Sequence, residues 1–227
     1  MTEEPDRERA VRTRGRWLFV VLALLLTVLA ATQAQQLYRF YLAQDRLPQW
    51  DMAENAWGGI ELHQALAHGR LVHFLVLLNR QDRWPFGFSL LLLPFLALGG
   101  DGFTAAMLLS LVLFTAMPLL FVWAGFEVEP GAVGWWSGLF ASLLFLLCPL
   151  LLLFGILMMR EEAGVFFSLL ALCAYLRARR LGSEGAWRLA GLAFLALFLI
   201  KYNYALLWAA VAIANEVLAL DRDGRAA

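Results

Sequence analysis

Gln49-Trp50-Asp51-Met52-Ala53-Glu54-Asn55-Ala56-Trp57 opens the one long polar interval in a chain otherwise built from apolar runs. It holds an acid, Asp51, and a second acid three residues on, Glu54. An amphipathic segment follows through Ile60, Leu62 and Leu66 to Arg70. Asp-x-x-Glu ahead of a helical pattern is a capping box, in which Asp51 satisfies orphan backbone donors at the start of a helix. An acid between aromatics at a membrane surface can also take a proton from a hydroxyl group. Local spacing leaves both roles open, and they are compatible.

The runs on either side set the class. The chain is 62% hydrophobic and 16% charged, with a mean hydropathy of +0.69. Soluble domains sit nearer half apolar and a quarter charged. Several runs approach or exceed the roughly 20 residues that cross a hydrocarbon core. The expected fold class is therefore all-α, a polytopic transmembrane helix bundle in an integral membrane protein. A net charge of zero gives no reason to expect nucleic acid as a partner. Cys148 and Cys173 lie inside apolar runs and form no metal motif. His63, His68 and His73 are spaced by five, which spreads them around a helix instead of pairing them on one face.

Residues 1–16 carry five arginines among four acids and read as a solvated cytoplasmic tail. Trp17 to Ala31 is a first span, extended a little by Thr32 to Ala34. A signal peptide would share its charged start, but no clean small-x-small cleavage site follows. Residues 35–101 form an extracytoplasmic loop, with Leu37-Tyr38-Arg39-Phe40-Tyr41 at headgroup level and a break at Leu47-Pro48. The Asp51 helix should lie along the membrane face. Leu71 to Leu78 is too short to span. Trp84 to Leu98, broken by Pro94, reaches only about 22 Å as a helix, against a core of roughly 30 Å.

Residues 103–220 form the helix bundle, with spans at Phe103 to Phe126, Val133 to Met159 and Ala163 to Leu176. Leu189 to Leu220 would be about 48 Å long as one helix, so two short spans meeting at Lys201 are expected. Arg177, Arg179, Arg180 and Arg188 crowd one short connection, which the positive-inside rule puts in the cytoplasm. Counting back from it, a cytoplasmic N-terminus requires Trp84 to Leu98 to be re-entrant or interfacial. Asp51, Arg160-Glu161-Glu162 and Lys201-Tyr202-Asn203-Tyr204 then share the outer face. Charges at such a site are costly and mark function by default. The plainer readings are a loop at a helix end for Arg160-Glu161-Glu162 and snorkelling for Lys201, the one lysine in the sequence.

Four local features, in this order, resemble the N-terminal part of the GT-C superfamily of membrane glycosyltransferases, in particular family 39 and the aminoarabinose-transferase-like group. They are Trp50-Asp51-Met52-Ala53-Glu54; Arg83-Trp84-Pro85-Phe86-Gly87-Phe88; Cys148-Pro149 leading to Met159-Arg160-Glu161-Glu162; and Gly191-Leu192-Ala193 through Ile200-Lys201-Tyr202. The resemblance covers about Trp17 to Leu220. Three details depart from the family pattern: Met52 follows the first acid where a glutamate is common, Glu161 or Glu162 replaces a common aspartate, and Pro85 is single. The chain is also shorter than family members, which leaves a fragment and a short form working with a membrane partner subunit both open.

The resemblance implies sugar transfer from a polyprenyl-phosphate-linked donor to an acceptor at the extracytoplasmic face of a membrane, taken as the bacterial inner membrane with the N-terminus cytoplasmic. Asp51, with Glu54, would be the catalytic acids, Asp51 taking the proton of the attacking hydroxyl. Arg160 and Lys201 would meet the donor phosphate. Glu161 and Glu162 would orient the acceptor or hold a divalent metal, whose identity the sequence leaves unknown. Membrane lipid would surround the spans. The alternative is a catalytically inert membrane scaffold or partner subunit that keeps the N-terminal half of the fold.

Overall fold

The computed structural model describes residues 4–43, 50–80, 85–99, 101–148, 150–151 and 160–226. Among them the chain is helical, with no strand. The helices are α1 (Glu4–Leu42), α2 (Trp50–Ala67), α3 (Leu71–Asn79), α4 (Gly87–Ala97), α5 (Gly102–Val128), α6 (Ala132–Leu147), α7 (Arg160–Leu181), α8 (Glu184–Ile200) and α9 (Tyr202–Ala226). Two stretches, Val20–Phe40 and Gly102–Val128, are long and apolar enough to cross a membrane.

Helix ends follow local chemistry. Asp101 caps α5: its Oδ1 accepts from the Phe103 and Thr104 amides at 3.0 and 2.9 Å, and its Oδ2 accepts from Thr104 Oγ1 at 2.6 Å. The bonds from Thr104 hold the Asp101 carboxyl below its usual range. The turn between α7 and α8 uses Gly182 at φ 62°, a left-handed conformation that glycine adopts without strain. Ser183 then caps α8 by accepting from the Ala186 amide.

The chain forms two compact units. The first comprises residues 1–46 and 111–156. There α5 and α6 meet backbone to backbone through Gly125, Gly134 and Gly138. A Cβ on Gly125 would reach Gly134 O at 2.3 Å, and one on Gly138 would reach Val122 Cα at 2.6 Å. Gly134-x-x-x-Gly138 is the small-residue spacing that lets helices approach this closely. Ser142 Oγ lies 2.8 Å from Gly138 O and 3.0 Å from Pro118 O. Phe145 packs on Phe114 and Phe121, with ring centroids 5.0 and 5.5 Å apart. On α1, Ala23, Leu22 and Leu26 pack with Val122, Leu139 and Trp135, and Gln33 Nε2 donates to Leu146 O at 3.2 Å.

The second unit comprises residues 47–110 and 157–227. α2 packs on α3 and α4, and α7 packs on α8. The first turn of α4 meets the last turn of α8, where a Cβ on Gly87 would lie 2.6 Å from the Leu199 carbonyl. The α8–α9 path breaks at Lys201, whose backbone is extended at φ −154°, ψ 89°. That is where the sequence reading divides Leu189 to Leu220.

Two boundaries differ from expectation. α1 continues through residues 4–16 and on to Leu42, so it takes in residues expected in the tail and the first residues of the expected 35–101 loop. Its arginines and glutamates are good helix formers, and no glycine or proline interrupts Arg16 to Leu42. The expected span Val133 to Met159 ends as α6 at Leu147. Pro149 lacks an amide proton and drives Cys148 out of the helical region, to φ −82°, ψ 109°. Residues 152–159 of that expected span lie outside the described residues. α4 has 11 residues, about 16 Å at the helical rise and short of a roughly 30 Å core.

Candidate functional site

The site is built where α7 begins and α8 ends, inside the second unit. α7 starts at Arg160, so Arg160, Glu161 and Glu162 occupy one turn. The break at Lys201 ends α8 beside that turn, and Lys201 Nζ forms an ion pair with Glu161 Oε1. Lys201 is 7% exposed and its ammonium lies 5.0 Å from the centre of the Tyr204 ring, within cation–π range. Tyr204 in turn packs on Gly164, one turn into α7, where a Cβ would meet a ring carbon at 2.7 Å. Glycine there lets the ring sit flat against α7 beneath the ammonium.

Arg160 and Glu162 are as buried as Lys201. Glu162 faces Ser110 of α5, yet neither carboxylate oxygen of Glu162 nor Ser110 Oγ has a hydrogen-bond partner among the described residues. Arg160 makes interactions of its own beside them. Buried polar atoms are nearly always satisfied in folded proteins. Here a serine hydroxyl on α5 and a carboxylate in the first turn of α7 lack such partners, next to an ion pair. Such groups can bind a polar or anionic molecule that supplies the missing bonds.

The structure therefore brings Glu161 and Lys201 into contact and puts Arg160 and Glu162 in the same turn. The sequence reading assigned Lys201, with Arg160, to the donor phosphate; the structure gives Lys201 a carboxylate partner in Glu161. Asp51 lies in the first turn of α2, which begins at Trp50. Its side chain lies outside the described residues. Glu54 is exposed on α2, and among the described residues no hydrogen bond or ion pair joins it to the cluster.

Among the described residues no three His, Cys, Asp or Glu side chains converge to hold a metal. One oxygen of Glu161 is engaged by Lys201, and Glu162 faces Ser110. The described residues thus offer no preformed metal site, and no step is routed through an ion.

Ser110 escapes sequence reading. A lone serine in an apolar run reads like any hydroxyl bonded back to its own helix, and only the meeting of α5 with α7 sets it before a carboxyl. Gly87 and Gly164 escape it too, because close approach is a tertiary fact. No family model, curated protein or solved structure matches the chain.

Proposed function

We propose that the chain is a membrane-embedded glycosyltransferase, or the N-terminal part of one, that moves a sugar from a polyprenyl-phosphate-linked donor to an acceptor hydroxyl at the outer membrane face. The observation that carries this reading is the buried Arg160–Glu161–Glu162–Lys201 cluster at the break between α8 and α9. Arg160, Glu162 and Lys201 have been taken largely out of water there, with Glu161 at the water's edge beside them, at a cost that packing alone does not require.

In this reading proton removal and leaving-group stabilisation fall to different helix ends. Asp51 takes the proton from the attacking hydroxyl as the bond to the anomeric carbon forms, with Glu54 beside it in α2. The bond from that carbon to the phosphate oxygen breaks, and negative charge grows on the leaving lipid phosphate. Arg160 offers it a planar fork of donors and Lys201 a point charge. Glu161 holds the Lys201 ammonium in place before the donor arrives. Glu162 and Ser110 supply unused hydrogen-bonding capacity for an acceptor hydroxyl. The helices would form a polytopic bundle with a cytoplasmic N-terminus, in a bacterial inner membrane.

The second reading is an inert scaffold or partner subunit, favoured by the Lys201–Glu161 pair, which satisfies both charges without a substrate. Incubation of the purified protein with polyprenyl-phosphate sugars in detergent, followed by detection of free polyprenyl phosphate and the glycosylated product, separates the two. Release of polyprenyl phosphate that depends on an acceptor supports the transferase. Its absence across donor sugars, with folded protein, supports the scaffold.

A further inference from the structure

Between the Asp51 helix and the break at Lys201 lies α4, which meets each of them through a glycine. On α2 the buried positions Ala56, Gly59, Leu62 and Ala65 stand three residues apart, as neighbours along one side of a helix. Three of the four are small, which lets α4 come close. A Cβ on Gly59 would lie 2.7 Å from Leu92 Cδ1 and 3.0 Å from Leu92 Cβ. Leu92 is wholly buried on α4, as are Phe88 and Ser89. α2 is held again where α5 begins, since a Cβ on Gly102 would reach Ile60 Cδ1 at 2.0 Å.

At its other contact α4 meets the last turn of α8. A Cβ on Gly87 would lie 2.6 Å from both the carbonyl carbon and the oxygen of Leu199, and 3.0 Å from Ile200 N. The first residue of α4 therefore rests on the peptide unit joining Leu199 to Ile200. Lys201 comes next, and its amide closes α8 by donating to Leu197 O at 2.8 Å. The contact sets the N-terminal end of one helix dipole against the C-terminal end of another, which is the favourable arrangement. It is backbone on backbone, so no side chain can swing aside. α8 is packed along α7, which leaves α4 as the partner that would have to move. Gly87 and Leu92 both precede Pro94 and lie about 7.5 Å apart along the helix axis. A shift at the first contact reaches the second within one unbroken length of helix.

We propose that α4 is a positioning strut: Gly87 seats it on the end of α8, Gly59 seats α2 on it, and the two contacts set where α2, with Asp51 in its first turn, stands relative to Lys201. The use of that separation in catalysis rests on the proposed transferase; the seating of the helices does not. Carbon atoms in ordinary contact are about 3.5–4.0 Å apart, so a methyl group added at Gly87, 2.6 Å from backbone, pushes α4 away by about 1 Å. A displacement of that size, remote from the reacting atoms, can lower a rate by about a hundredfold.

The test is the separation itself, read by electron spin resonance between labels at Trp57→Cys of α2 and Leu206→Cys of α9, both exposed positions. It uses the full chain in detergent with Cys148 and Cys173 replaced by alanine. A pair at Leu192 and Leu206, also exposed, is the control within α8 and α9. Gly87→Ala should move the first separation by about 1 Å and leave the second unchanged. In the unlabelled protein it should slow transfer at saturating donor by roughly tenfold to a hundredfold, with donor binding as in the parent. Gly59→Ala meets a side chain that can partly yield; it should act in the same direction more weakly, and carries the test if Gly87→Ala does not fold. Gly191→Ala, with nothing within 4 Å of the added methyl group, should change neither separation nor rate. An unmoved first separation in a folded variant, or an equal shift in the control pair, would overturn the strut. A moved separation in a protein whose parent never transfers sugar keeps the strut and removes the reaction. A parent-like rate at a moved separation removes the strut's part in the reaction and keeps the reaction.

Discussion

Glu161→Gln should destabilise the protein more than Lys201→Met, although the two substitutions break the same ion pair. The Lys201 side chain is 9% exposed and that of Glu161 is 39% exposed. Glu161→Gln removes the counter-charge from a buried ammonium. Loss of one partner of a buried pair costs about 3–5 kcal/mol. The Tyr204 ring 5.0 Å from Nζ remains, returning about 1 kcal/mol, and the glutamine oxygen still accepts a hydrogen bond. A net loss of about 2–3 kcal/mol is expected. Lys201→Met strands a carboxylate that reaches water, which costs about 0–1 kcal/mol, and its apolar side chain suits the buried site. The difference of about 2 kcal/mol is roughly a thirtyfold ratio in the folding equilibrium. Combining the two substitutions should bring stability back near that of Lys201→Met alone. Equilibrium unfolding in mixed micelles, followed by far-UV circular dichroism, measures all three. A Lys201→Met loss equal to or larger than that of Glu161→Gln would refute the asymmetry and the burial on which it rests.

Three further expectations follow from particular contacts. Gly125→Ala sets a methyl group 2.3 Å from Gly134 O and should cost about 1–3 kcal/mol through overpacking, read by the same unfolding assay; an unchanged midpoint would separate α5 from α6. Asp101→Ala should cost about 1 kcal/mol and Asp101→Asn only a few tenths, since asparagine caps nearly as well. Because Thr104 lowers the Asp101 carboxyl, this contribution should be present above about pH 4 and fade as pH falls through the lower folded-state value; a cap effect that grows on acidification would contradict it. For topology, Gly69 and Gly182 have positive φ and tolerate cysteine poorly, so His68→Cys and Leu181→Cys are the labelling sites. Membrane-impermeant reagent should reach the first from outside and not the second, and equal access would make α4 a full crossing.

The clearest features in the sequence were those that a single residue marks. A lone lysine inside an apolar run locates the end of α8, because an ammonium cannot continue such a helix through apolar surroundings without a partner. Gly182-Ser183 locates the α7–α8 turn through left-handed glycine and serine capping. Pro149 was equally visible, but reading Val133 to Met159 as one span passed over its effect on Cys148. The extension of α1 was less visible, since charged residues with strong helix propensity look like a solvated tail until a continuous helix is seen. The close approach of Gly125 to Gly134 and Gly138 was not read from the sequence, because it depends on α5 meeting α6. Site chemistry followed the same division. The residue types of the cluster stand out at Arg160, Glu161, Glu162 and Lys201, but which acid meets Lys201 is decided by packing of α7 on α8. The Glu162–Ser110 meeting depends on α5 reaching α7, which no local pattern encodes.

Asp51 carries the sharpest chemical assignment, and Asp51→Asn tests it most directly, since asparagine keeps any capping role while losing the ability to take a proton. The measurement is the initial rate of sugar transfer from a polyprenyl-phosphate donor, made on parent and variant at matched folded concentration and with donor binding recorded alongside. The transferase account predicts an active parent, unchanged donor binding in the variant, and a rate lower by about a hundredfold or more. A folded Asp51→Asn protein that transfers sugar at the parent rate, or a parent that binds donor and never turns it over, would contradict it.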